Sequence, residues 1–178
     1  KTAVKPFDKN RAGFVLAEGA AAIVLESLDS ATRHNRKIYA EIIGFGSNCD
    51  AHHLTSPAKE GQAKAIQLAL HDAGIKAKQI DYINAHGTAT KLNDHVETKA
   101  IKKVFGKYAY DIPVSSTKSM LGHAMGASSA MEIVATVLSV KNDVIHPTSN
   151  YQNPDPECDL DYVPGKARLK TINHAISN

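Results

Sequence analysis

Two short stretches of this sequence carry side chains suited to carbonyl chemistry. One is His86-Gly87-Thr88-Ala89-Thr90, and the other runs from Thr117 and Lys118 to Gly122 and His123. Each delivers one histidine with a glycine beside it, and glycine lets backbone approach closely. Two neutral imidazoles at one mouth can donate hydrogen bonds to a carbonyl that is becoming an enolate or oxyanion. Lys118 follows a strand-like stretch and Glu132 lies on the next helical one, so the two suit a partly buried ion pair. Each residue alone also has a plainer reading. A lone histidine after a strand is more often a satisfied loop residue, Thr88 and Thr90 can cap a turn, and Lys118 can be a solvated charge.

The surrounding pattern supplies elements that can position these groups. Ile80–Ala85 and Ile112–Ser115 read as strands leading into the two stretches. Asp94–Phe105 follows as a helix with Val96, Ala100, Ile101, Val104 and Phe105 on one face, a capping-box pattern in Asp94 and Glu97, and Gly106 as its stop. A second helix spans about Ala127–Lys141, its apolar face at Ala130, Ile133, Val134, Val137 and Leu138. Upstream, Glu60–Ala73 is an amphipathic helix ended by Gly74. Gly13–Glu26 and Tyr39–Gly46 read as buried strands flanking a short polar helix at Ser27–Arg36. After Asn142 the chain is rich in proline until a last strand near Ile172–Ser177. Alternating strands and helices imply a layered α/β fold with mostly parallel pairing, whose ligands bind beyond the carboxyl ends of the strands.

Composition narrows the function classes. With 178 residues and 43% apolar content, the chain can bury a core without disulfides or a structural metal. Its 21 basic and 18 acidic residues are interspersed, giving +3 and no nucleic-acid stripe. Cys49 and Cys158 lack C-x-x-C spacing, which predicts free thiols in a reducing compartment. His52-His53, His95 and His146 show no metal-ligand spacing, so no metal is expected. The longest apolar stretches, such as Ala20–Leu25, fall far short of the ~20 residues of a membrane span. The opening at Lys1 and the ending at Asn178 after strand-like residues suggest a piece of a longer protein.

Longer motifs carry a family resemblance. N-A-H-G-T-A-T at 84–90, S-S-T-K-S-M-L-G-H at 115–123 and N-P-D-P-E-C-D-L-D-Y-V-P at 153–164 resemble the condensing β-ketoacyl-acyl-carrier-protein synthases of dissociated (type II) fatty-acid synthesis. P-F-D-K-N-R-A-G-F-V-L-A-E-G at 6–19 and D-A-H-H-L-T-S-P at 50–57 add to it. The resemblance covers essentially the whole chain and matches the second half of such proteins. It implies a thiolase-like αβαβα sandwich, this chain supplying mainly the second βαβαβ half. Residues 1–45 would then be the end of the first half and the crossover, and 46–178 the C-terminal ketosynthase domain, stopping before a glycine-rich gating loop.

The implied reaction is a decarboxylative Claisen condensation of an acyl-enzyme thioester with malonyl-acyl-carrier protein. By the same resemblance His86 and His123 are the histidines of a Cys-His-His triad, Lys118 is the active-site lysine and Glu132 its acid. Thr88, Thr90, Thr55 and Ser56 fall where the phosphopantetheine arm is bound, and no cofactor is implied beyond that arm. Acyl-carrier protein, malonyl and acyl thioesters and a second copy in a cytoplasmic homodimer are the implied partners. Ala12, Ala17, Lys91 and Ser129 depart from the family pattern without touching the histidines. The family's nucleophilic cysteine lies in the first half, on a turn that lowers its pKa. Neither Cys49 nor Cys158 matches it, so the chain by itself is expected to be inactive. The alternative is a non-catalytic partner like a chain-length factor, which the presence of both histidines and Lys118 disfavours. A degradative thiolase would carry its own cysteine motif in this half, and none is found.

Overall fold

Among the described residues, Tyr82-Ile83-Asn84 is the one stretch with sheet neighbours on both sides. In the computed structural model, which describes residues 3–53 and 56–178, it forms β1 (Tyr82–Asn84) between β2 (Val114–Ser115) and β5 (Ala175–Ser177), all parallel. Ile83 pairs with Val114 on one side and Ile176 on the other. All three residues of β1 are buried, as a parallel strand covered on both faces must be.

Alternation along β1 sends successive side chains to opposite faces. Ile83 points into the larger core, where α2 (Lys59–Asp72) and α3 (Lys91–Phe105) contribute Ile66, Leu70, Ile101 and Phe105. Tyr82 points into a smaller core with Ile145, Val163 and Ile172. That core is closed by the antiparallel pair β3 (Val144–Ile145) and β4 (Arg168–Leu169). Asn84, again on this second face, meets α5 (Ser128–Asn142), donating from Nδ2 to the Glu132 carbonyl at 3.1 Å. A central parallel sheet between helical layers is the α/β arrangement that the sequence pattern predicts.

Three expectations need correction. Among the described residues, Gly13–Glu26 and Tyr39–Gly46 form no strands, the sole pairing being a bridge between Leu16 and His123. A strand is defined by its partner, and these segments lie on the surface with apolar side chains outward, Val24 at 95% and Phe45 at 75% exposure. Between them the polar helix is present but short, α1 (Leu28–Arg33), capped by Ser27. On α5 the buried row is Ser128, Glu132, Thr136 and Ser139, while the predicted apolar face at Ile133, Val134, Val137 and Leu138 is only half covered or exposed. Here the sheet beneath is polar at Asn84, so hydrogen bonding rather than apolar burial orients the helix.

The beginning of the described chain is pinned to its far end. Asp8 accepts the backbone N–H groups of Gln152 and Asn153, both at 2.7 Å. Buried Arg11 pairs with Asp155 and donates to the carbonyls of Thr90 (3.2 Å) and Lys91 (3.1 Å). Phe7 stacks on Tyr162 with centroids 4.0 Å apart. Among the described residues no helix is long and apolar enough to cross a membrane.

Candidate active site

The loop after β1 carries several backbone N–H groups that need acceptors, and α3 provides them. Thr90, not Asp94, caps that helix: its Oγ1 accepts the Asn93 N–H at 3.2 Å, and α3 begins at Lys91. The predicted capping box is therefore not formed, and Asp94 and Glu97 turn inward instead. Glu97 accepts the N–H groups of His86 and Gly87, each at 2.8 Å. Asp94 accepts those of Phe7 (2.7 Å) and Ala89 (3.1 Å). Burial pushes the Asp94 carboxyl up to about 7, against the pull of the Phe7 N–H and Arg11.

Both glycines beside the histidines are required by space. A Cβ on Gly87, whose φ is +43°, would lie 2.6 Å from Ser116 Cβ. One on Gly122, at φ +77°, would lie 2.9 Å from Ala17 Cβ. Between β2 and Gly122 the chain makes a single turn, α4 (Lys118–Leu121). His123 is then fixed by its backbone, donating its N–H to Val15 O at 2.8 Å and accepting from Ala17 N–H at 3.1 Å. Phe14 packs against its ring edge-on at 5.0 Å.

These two loops bring His86 and His123 together, ring centroids 5.6 Å apart and nearly perpendicular. Lys118 and Glu132 form a buried ion pair, as their sequence positions predict. The remaining hydrogens of the Lys118 ammonium go to His86, at 2.7 Å to its carbonyl and 3.2 Å to its Nδ1. An ammonium only donates, so Nδ1 of His86 accepts and its proton sits on Nε2. His123 is set the same way, its Nδ1 accepting the Met125 N–H at 3.1 Å with Ser128 Oγ at 2.9 Å. Two imidazoles thus keep Nε2–H donors that no described residue engages. Burial, then Lys118, holds His86 down at about 4 and lowers His123 as well, so both are neutral at pH 7. Burial raises the Glu132 carboxyl, while Lys118 pulls it back down.

Of the other candidates, Thr88 is buried and its Oγ1 lies 2.9 Å from that of Thr90. Ser56 is half-buried on the loop before α2, outside the contacts that join the histidines, and Thr55 lies outside the described residues. Cys158 is buried, and burial pushes its thiol up to about 11, which suits an inert role. A concavity of about 410 Å³ lies away from the histidines, between Asn48 and Asp50 on one side and Glu60, Lys64 and Lys103 on the other. Neither histidine nor Lys118 lines it, so the chemistry is assigned to the histidine pair.

Sequence reasoning missed Glu97, Asp94 and Asn84 as the frame of the site. The signal of Asp94 and Glu97 was carboxylates on the turns where α3 meets the histidine loop, indistinguishable from a cap, and Asn84 stood in the 84–90 motif without a role of its own.

Comparison with known proteins extends this geometry. A model of the β-ketoacyl synthase C-terminal domain matches residues 39–152. The chain is 51% identical over 178 residues to 3-oxoacyl-(acyl-carrier-protein) synthase 2 of Synechocystis sp., covering 99% of this chain and 43% of that protein. Among solved structures, the ishigamide ketosynthase/chain length factor superposes with a TM-score of 0.96 at 45% identity, over 99% of this chain and 43% of that one. A type II PKS acyl-carrier protein in complex with its ketosynthase gives 0.93 at 42%, over 98% and 43%. The chain spans less than half the length of these relatives and has the thiolase-like fold of ketosynthases over that span. On the matched domain, the identity and the superposition together, the chain belongs to the β-ketoacyl synthase family and corresponds to its C-terminal part.

Proposed function

We propose that these residues serve the decarboxylative condensation of an acyl thioester with malonyl-acyl-carrier protein, in fatty-acid elongation. The observation that carries this reading is the pair of neutral Nε2–H donors, each fixed by an acceptor bond at Nδ1. Aimed at the malonyl thioester carbonyl, they stabilise the oxygen as the bond to the carboxylate breaks, CO2 leaves and the electron pair moves onto the enolate. The enolate carbon then attacks the acyl carbonyl. The new C–C bond displaces a cysteine thiolate that the resemblance places in the part of the relatives this chain does not span. Neutral imidazoles suit the task, since a protonated ring close to the Lys118 ammonium would be repelled.

Lys118 orients His86, and Glu132 holds that lysine in place as its buried partner. Thr88 and Thr90, with Thr55 and Ser56, are read as the groups that hold the phosphopantetheine arm. A carrier protein as partner is supported by the relative solved together with its own. Residues 46–178 are read as the C-terminal ketosynthase domain, acting in a full-length homodimer in the cytoplasm.

The test is CO2 release from malonyl-carrier by a full-length synthase carrying this sequence. His86→Ala and His123→Ala should each lower it by ~10²–10³, the loss typical of one oxyanion donor. Release at near wild-type rate in both variants would refute the assignment.

A further inference from the structure

Behind the ion pair lies a second group of polar side chains that the reaction itself does not use. His146 follows β3, its ring partly buried. Its Nε2 is 2.8 Å from Tyr82 Oη and within 3.5 Å of Thr117 Oγ1, and its Nδ1 is 3.2 Å from Ser115 Oγ. Tyr82 Oη and Ser115 Oγ are 2.8 Å apart. Thr117 donates its hydroxyl to Asn84 Oδ1 at 2.9 Å, and Asn84 Nδ2 donates to the Glu132 carbonyl and to Thr136 Oγ1 at 3.0 Å.

One assignment of hydrogens satisfies all of these contacts. The Thr117 proton is committed to Asn84, so towards His146 its oxygen can only accept, which puts the imidazole proton on Nε2. Nε2–H then faces Tyr82 and Thr117, the Tyr82 hydroxyl donates to Ser115, and the Ser115 hydroxyl donates to Nδ1. The other tautomer, with Nδ1–H directed to Pro147 O at 3.3 Å and Nε2 accepting from Tyr82, would leave the Thr117 contact unmade. A buried network with every member satisfied is rigid and specifies one geometry.

Its members sit next to the site in sequence as well as in space. Thr117 immediately precedes Lys118, Asn84 lies two residues before His86, and the Glu132 peptide is bonded directly to Asn84. We propose that His146 is a positioning residue: through Tyr82 and Thr117 it holds Asn84, which sets His86, Lys118 and Glu132 in register with one another. The relay rests on the reading of His86 and Lys118 given above. Partners of this outer kind typically change activity 10–100-fold when removed, because small displacements of reacting groups are costly.

The experiment measures malonyl-carrier decarboxylation, and the imidazole ¹⁵N resonances of His86, in a full-length synthase carrying this sequence. His146→Phe and Thr117→Val should each lower kcat about tenfold with KM unchanged. The double variant should also lose about tenfold, because both changes break one relay. His146→Gln, which keeps an N–H donor, should recover most of the loss. In both single variants the His86 resonances should move. Unchanged kcat, additive losses, or a His146→Gln as impaired as His146→Phe would overturn the relay. If His146→Phe fails to fold, the near-isosteric Thr117→Val decides by the same two readouts. A wild-type protein without decarboxylation would refute the function. The relay would then stand or fall on whether His86 resonances move in Thr117→Val.

Discussion

Helices α3 and α5 are both 15 residues long, and each turns a buried carboxylate towards His86, yet they bury opposite kinds of face. Helix α3 seats Ile101 and Phe105 in the larger core, buries Ala100, and adds Asp94 and Glu97 in its first two turns. Helix α5 turns Ser128, Glu132, Thr136 and Ser139 inward and leaves Leu138 47% exposed. The carboxylates differ accordingly. Glu97 is answered by neutral N–H groups of the His86 loop and so fixes its shape, whereas Glu132 is answered by a cation whose other hydrogens lie on His86. One helix builds the loop, and the other puts charge beside the ring.

The largest effects should separate these roles. In a full-length synthase, Lys118→Ala strands a buried carboxylate and should cost ~3–5 kcal/mol in denaturant unfolding, with decarboxylation lost as well. An apolar pair, Lys118→Met with Glu132→Leu, should restore most of the stability and none of the activity. Unchanged stability and turnover in Lys118→Ala would make the lysine a solvated charge.

Acid should act through the same ring. His86 is held at about 4 against an ordinary 6.5, so between those values the unfolded chain binds a proton that the folded one excludes. This contribution is therefore intact above pH 6.5 and is lost as pH falls towards 4, by about 3 kcal/mol at the lower limit. Denaturation at a series of pH values should show a shallower slope in His86→Gln, and equal slopes would exclude the group.

Smaller still is the effect at Glu97. Glu97→Gln sets an NH2 against one of two backbone N–H groups and should cost ~1–3 kcal/mol. It should leave the Lys118 pair intact, which the ¹⁵N resonance of the lysine ammonium would report.

The smallest pair of changes compares the helix faces themselves. Ile101→Val should cost ~0.5–1.5 kcal/mol as a core truncation. Leu138→Ser, at a solvated position, would fall within about ±0.5 kcal/mol. A larger cost in the full-length protein is expected if the half-exposed stripe of α5 is covered there, and a value inside the range would show the face to be wet.

Much of this was legible in the sequence, and the failures have physical causes. Helices α2 and α3 followed from three- and four-residue spacing with glycine stops, and β1 and β2 from short apolar runs before loops. His86, His123, Lys118 and Glu132 were found as motif residues, and the structure brings them together. Asp94 and Glu97 were misread because an acid three residues before another is the pattern of a cap whether it faces backward or inward. The true cap, Thr90, was read either as a cap of the turn or as a contact to the phosphopantetheine arm. On α5 the apolar stripe marked the face turned away from this chain's own sheet, since periodicity reports which side is apolar and not what covers it. Gly13–Glu26 and Tyr39–Gly46 have strand composition, but a strand also needs a neighbour, and propensity cannot supply one.

The clasp at Asp8 has a consequence in time. Its carboxylate and the amides of Gln152 and Asn153 are separated by about 144 residues. At translation speeds of ~5–20 residues per second, Asp8 leaves the ribosome roughly 7–30 s before its partners exist. Arg11 must wait as long for Asp155, although Thr90 and Lys91, its other anchors, arrive sooner. The contacts that tie residues 8 and 11 to residues 152–155 are therefore among the last of this chain to form as it is made.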